Sequence, residues 1–187
     1  MALVIGDSMF AGGSSVVRHL SELAGHSLDN RAVVGAGFRR GWVKSIPEQY
    51  DQSGFRGNVI LMDGGGNDVF SMINSCQVFA PDCRAMIDEI NNSFRDLLNK
   101  MGLNGVEDVI FMGPYYVRES LRPVIDYGVE TMGSTCASRS STPRCSFVDT
   151  RNLTFPRGWD GIHPTEEGYQ KLATAIWDTK LDRDIPL

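Results

Sequence analysis

Residues 3–10 read LVIGDSMF. Four residues of strand character, Leu3 to Gly6, run straight into a small acid and a hydroxyl, Asp7 and Ser8, with no helix cap or cluster of turn residues between them. Short apolar runs that end this abruptly are typical of strands buried on both faces of a parallel sheet. Similar runs recur at residues 32–34, 59–62, 109–112 and 147–148, each closed by Gly, Asp or Pro. Between them lie helical patterns. Val16, Leu20, Leu23 and Ala24 share one face of the first, and Ile87, Ile90, Phe94, Leu97, Leu98 and Met101 form a longer one that should end before Gly102. A last helix opens at Pro164, Thr165, Glu166 and Glu167, and carries Tyr169, Leu172, Ala173, Ile176 and Trp177 at helical spacing. Strands alternating with helices predict an α/β fold with a five-stranded parallel sheet covered on both sides. Residues 115–144, rich in Ser, Thr, Arg and Gly, read instead as a long mobile or ligand-facing loop.

The 187 residues, 42% hydrophobic and 22% charged, suit one globular domain over 1–187. No stretch approaches the ~20 apolar residues that a bilayer span needs. A net charge of −5, with Arg39, Arg40 and Lys44 as the only tight basic cluster, gives no footprint for nucleic acid. Four cysteines fall in two close pairs, Cys76 with Cys83 and Cys136 with Cys145. Of the three possible pairings the sequential one is expected, with four reduced thiols as the alternative; zinc would call for CxxC-like spacing and imidazole partners, and the chain has only three histidines. Disulfides favour an oxidising compartment, so the expected location is secreted or periplasmic. Met1 and Ala2 lead directly into the first strand, so an exported protein would be a mature form behind an initiator methionine.

In an open parallel sheet, ligands sit outside the carboxyl ends of the strands, and Ser8 falls just past the first. Strand three runs out into LMDGGGND, residues 61–68, where three glycines bare the backbone before Asn67 and Asp68. The second run ends in VVGAGF, residues 33–38, with Gly35 and Gly37 again leaving amides uncovered. A serine hydroxyl becomes a nucleophile only when a base takes its proton. His19 lies inside the first helical pattern and His26 in a Gly/Ser turn, so both read as surface or capping residues. His163 differs. It stands in GWDGIHPTEEGY, residues 158–169, between the last strand and the last helix, with Asp160 three residues earlier to orient the imidazole. Asp7 and Asp68 read as carboxylates that bond nearby amides at strand ends.

GDS at 6–8, Gly35, GGND at 65–68 and DGIHP at 160–164 together resemble the four signature blocks of the SGNH (GDSL-type) hydrolases, in order and over nearly the whole chain. The resemblance implies a flavodoxin-like three-layer α/β/α sandwich and ester hydrolysis with no metal or cofactor. It implies Ser8 as nucleophile, His163 as base, Asp160 as the group orienting the histidine, and an oxyanion hole made by the Ser8 amide, the Gly35 amide and the Asn67 side chain. Met9 replaces the leucine of the GDSL name, an apolar swap of similar volume. Gly37 competes with Gly35 for the second block. No GxSxG is present, so Ser8 is not held in the nucleophile elbow of the α/β-hydrolases.

The expected reaction is therefore hydrolysis of small-molecule, carbohydrate or lipid esters. Short acyl and acetyl esters are favoured because no long apolar lid segment is visible. Phe38, Trp42, Phe70, Met72, Tyr115, Tyr116 and Trp159 flank the site in sequence and are candidates to line its pocket. Two other readings stand beside it. One is an SGNH fold that binds carbohydrate or lipid with idle catalytic groups. The other is a nucleotide-binding domain using GAGFRRG, residues 35–41, with Asp63 as a ribose-binding acid.

Overall fold

The computed structural model describes residues 2–13 and 15–187; Met1 lies outside the described residues. Five parallel strands, β1 (Leu3–Ile5), β2 (Asp29–Asn30), β3 (Val59–Asp63), β4 (Asp108–Met112) and β5 (Arg144–Val148), form one sheet in the order β2-β1-β3-β4-β5. This is the flavodoxin-like order, which reverses direction between β1 and β3. Seven α-helices are present among the described residues: α1 (Val16–Ala24), α2 (Ile46–Ser53), α3 (Gly66–Ser71), α4 (Ile73–Gln77), α5 (Pro81–Leu103), α6 (Arg122–Ala137) and α7 (Glu166–Asp182). None is long and apolar enough to cross a membrane.

Alternation along each strand sends side chains to opposite faces, and each face has its own core. Leu3, Ile5, Ile60, Met62, Val109 and Phe111 pack with α2, α5 and α6. Val4, Leu61, Ile110, Met112 and Val148 pack with α1 and α7. The three-layer sandwich expected from the sequence is thus the observed architecture. Both expected disulfides are formed: Cys76–Cys83 joins α4 to α5, and Cys136–Cys145 joins α6 to β5.

Three sequence expectations need correction. The second strand is not the apolar run 32–34 but Asp29–Asn30, paired with Leu3 and Val4. An edge strand has one free side and tolerates polar residues, while the apolar run lies beside Gly6, where β1 has already turned away; the Val33 amide donates to the Gly6 carbonyl at 3.0 Å. The stretch 115–144 is no loop, because it contains α6. There Val124, Ile125, Val129, Met132 and Cys136 recur at helical spacing and are buried, and Pro123 sits in the first turn. The Gly, Ser and Thr residues between them mask that periodicity. Finally, α5 continues through Gly102 to Leu103; glycine is needed there because a Cβ would lie 2.3 Å from the Thr142 carbonyl oxygen.

Candidate active site

The reversal of strand order opens a crevice at the carboxyl ends of β1 and β3, and the Ser8 turn occupies it. Gly6 leaves β1 with φ 152°, and a Cβ there would lie 1.7 Å from Asp63 Oδ1. The buried Gln49 of α2 clamps this glycine from both sides: its Oε1 accepts the Gly6 N–H at 2.8 Å and its Nε2 donates to the Gly6 carbonyl at 2.9 Å. The Asp7 carbonyl accepts the Phe10 and Ala11 amides, and the Asp7 carboxylate accepts the Met9 amide at 3.0 Å. Asn30 adds a third tie, donating to the Phe10 carbonyl at 2.8 Å. Ser8 is thereby held at the crest of a fixed turn, half-buried, and its N–H has no acceptor among the described residues.

Opposite it stands His163, whose Nε2 lies 2.8 Å from Ser8 Oγ across 155 residues of chain. Its Nδ1 lies 2.5 Å from Asp160 Oδ2, while Asp160 Oδ1 accepts the Ile162 and His163 amides at 2.9 and 3.0 Å. The bond from His163 and those two amides hold the Asp160 carboxyl down to about 2. The segment is anchored by a bridge between Arg157 and Pro164 and by Tyr115, whose hydroxyl donates to the Ile162 carbonyl at 2.5 Å. Hydroxyl, imidazole and carboxylate in file can pass a proton from oxygen to nitrogen, with the resulting imidazolium stabilised by the carboxylate.

Asn67 occupies the first turn of α3, and its Nδ2 donates to the Ala36 carbonyl at 2.9 Å and lies 3.4 Å from Asp7 Oδ2. Ser8, Asn67 and His163 line one cleft of about 270 Å3; Gly35 is not among its lining residues and joins the site through the neighbouring Ala36. The two glycines of the second block differ physically. Gly37 is a glycine for packing, since a Cβ would sit 2.5 Å from Asp68 Oδ2. Gly35 is a glycine for its backbone, with φ 81°, and its N–H has no acceptor among the described residues.

Behind the turn lie two buried carboxyls in hydrogen-bond contact, Asp7 and Asp63. Burial raises Asp7, and burial together with the Asp7 charge raises Asp63 well above the usual carboxylate range. The Asp63 Oδ1 accepts the Asp7 amide at 2.9 Å. Asp68, also raised by burial, accepts the Phe38 and Arg39 amides at 2.8 and 3.0 Å. These contacts count against the nucleotide reading: two amides of the 35–41 loop, those of Phe38 and Arg39, are committed to an internal carboxylate and not free for a phosphate. Asp63 is sealed beneath Gly6.

Of the flanking aromatics, Phe70 and Tyr115 line the cleft, Phe38 is core, Tyr116 lies in a neighbouring depression, and Trp42 and Trp159 are fully exposed. Met72 packs against the core beside α3. His19 is not a surface residue, being buried between Arg18, Glu22 and Glu166. Gln49 escaped the sequence reading; its one signal is a polar residue on the same helical face as Ile46 and Tyr50.

The family profile described as GDSL-like lipase/acylhydrolase matches residues 3–176. No curated protein sequence matches the chain. Among solved structures, LAE5, an alpha/beta hydrolase enzyme from the metagenome of Lake Arreo, superposes with a TM-score of 0.72 at 20% identity, covering 95% of this chain and 93% of that one. A catalytic mutant of Axe2, an acetylxylan esterase from Geobacillus stearothermophilus, gives 0.71 at 19% identity, with 95% and 92% covered. TesA gives 0.71 at 15% identity, with 96% and 97% covered. At such identities the likeness speaks for the fold.

Proposed function

The chain belongs to the family of GDSL-like lipases and acylhydrolases, and on that premise we propose that it is a serine esterase cleaving carboxylic esters through Ser8, His163 and Asp160. The observation that carries this is the unbroken file from Ser8 Oγ through the imidazole to Asp160, with spacings of 2.8 and 2.5 Å. Ser8 Oγ attacks the ester carbonyl carbon while His163 Nε2 takes its proton. The carbonyl oxygen becomes an oxyanion and receives hydrogen bonds from the Ser8 and Gly35 amides and the Asn67 side chain. Asn67 can supply a proton by giving up its weak 3.4 Å contact with Asp7. Collapse breaks the bond to the alcohol, which leaves with the proton from His163, and the acyl group remains on Ser8. Water then attacks in the same way, releasing the acid and restoring the serine.

No step in this sequence calls for a metal or cofactor. Residues 1–187 act as one domain, on small-molecule, carbohydrate or lipid esters, acetyl esters included. The two disulfides support a secreted or periplasmic location. The test is hydrolysis of p-nitrophenyl acetate by the intact chain and by Ser8→Ala and His163→Ala. Turnover lost in both, with circular dichroism unchanged, supports the reading. Turnover surviving in Ser8→Ala refutes it.

A further inference from the structure

A second cavity, of about 80 Å3, adjoins the cleft at Ser8. The two share Gly64, Gly66, Phe70, Pro114, Tyr115 and Val117 in their linings, so they lie side by side. From there the second cavity passes over the glycine strip behind β3 and ends between Ile87 and Ile90 of α5 and Ile125, Gly128 and Met132 of α6. Tyr115 carries the only polar side chain on its walls, and that hydroxyl is committed to the Ile162 carbonyl. Such a space has nothing to offer a sugar or a base. It suits a chain of methylenes.

Gly128 adds an independent sign. It is buried inside α6, where glycine is less favourable than alanine, yet neither its backbone nor its packing requires one. Its φ is ordinary, and a Cβ would meet only Ile87 Cγ2 at 3.9 Å, a normal contact. The effect of the missing side chain is room at the far end of the cavity. Both walls are pinned, α5 through Cys83 and α6 through Cys136, so the room is built into a braced part of the fold.

We propose that this cavity receives the acyl chain of the substrate and that the preferred esters carry linear acyl groups of about six to eight carbons, with Gly128 setting the length. This rests on Ser8 being the nucleophile. A water-sized group needs roughly 10–15 Å3 of such space, so 80 Å3 takes about five to eight groups of methylene size in file. Each methylene moved from water into an apolar wall strengthens binding about fourfold, so the six by which octanoyl exceeds acetyl raise kcat/KM about 10³- to 10⁴-fold. The expectation of a short-chain preference came from the lack of a lid segment; here the apolar cover is the interior between α5 and α6.

The test is kcat/KM for p-nitrophenyl esters from acetate to palmitate with the intact protein, Gly128→Ala and Gly128→Leu, and calorimetric binding of sodium octanoate to Ser8→Ala and Ser8→Ala/Gly128→Leu. The expected optimum is at six to eight carbons, octanoate exceeding acetate about 10³- to 10⁴-fold and palmitate falling away. Gly128→Leu should lower the octanoate-to-acetate ratio at least 10-fold, roughly two methylenes of lost room. Gly128→Ala, a favourable helix substitution, should lower it to a smaller extent. Octanoate should bind Ser8→Ala, and Gly128→Leu should weaken that binding at least 10-fold. A steady decline from acetate to octanoate overturns the proposal, as does a ratio unmoved by both variants. If no ester is turned over but octanoate binds in a Gly128-dependent way, the cavity's role as an acyl site stands and the nucleophile assignment fails.

Discussion

Replacing Asp160 by Asn tests the triad with almost no change of shape. Asp160 Oδ1 accepts two backbone amides, from Ile162 and His163. An asparagine must keep its own Oδ1 there, because the opposite flip would face an NH2 toward two N–H donors. Its Nδ2 then points at His163 Nδ1, 2.5 Å away in the native site, and donates to it. Nδ1 can no longer carry a proton, so the neutral imidazole bears its proton on Nε2 and presents a donor to Ser8 Oγ at 2.8 Å. A donor cannot accept the serine proton. Locking a triad histidine in this tautomer lowers kcat about 10⁴-fold in serine proteases, and His163 has no second acceptor at Nδ1 to soften the loss. Asp160, held down to about 2, is charged at every ordinary assay pH, so the deficit should persist from pH 5 to 9. The assay is kcat for p-nitrophenyl acetate, with circular dichroism to show that Asp160→Asn folds. A folded variant within 10-fold of the parent would refute the reasoning.

Asn67→Ala removes one oxyanion donor and should cost about 10²–10³ in kcat with KM little changed; steady-state kinetics on the folded variant decides it. Asp63→Asn should stabilise the protein, because an amide can donate to Asp7 without the burial penalty that raises Asp63. A raised carboxyl stabilises fully below its unfolded value and loses that contribution as pH climbs through its folded value. The gain in Tm should therefore be larger at pH 8 than at pH 5, on the order of 2–4 °C for about 1 kcal/mol, measured by calorimetry. Cys76→Ser/Cys83→Ser opens a seven-residue separation between α4 and α5. It should cost about 2–3 kcal/mol, or about 5–10 °C in Tm, and a reductant should reproduce part of the loss.

What could be read from the chain and what could not divides along physical lines. Strands buried on both faces announce themselves, as residues 3–5, 59–62 and 109–112 do, because no polar residue interrupts them. The edge strand at Asp29–Asn30 and the helix α6 were missed for a shared reason: partners elsewhere in the fold supply what local composition lacks. For the edge strand that partner is β1, and for α6 it is the face of α5 and β5 that receives Val124, Val129 and Met132. The candidate site was legible at Ser8, which follows β1, at Asn67, which lies in the first turn of α3, and at Asp160 and His163, which stand three residues apart in the loop between β5 and α7. Gln49 was not, because a glutamine in a helix becomes informative only once Gly6 is known to lie against it. The cavity between α5 and α6 was hidden too. It is formed by residues 87 to 132 meeting glycines 64 to 66, and no local pattern encodes that meeting.

The most direct measurement is peptide mass mapping after reaction with a fluorophosphonate, which forms a stable adduct only on a serine activated by a neighbouring base. A single adduct on Ser8 is expected, rising in step with loss of esterase activity and absent from His163→Ala. An adduct on any other residue, or full activity with Ser8 unlabelled, would contradict the placing of the reaction at the end of β1.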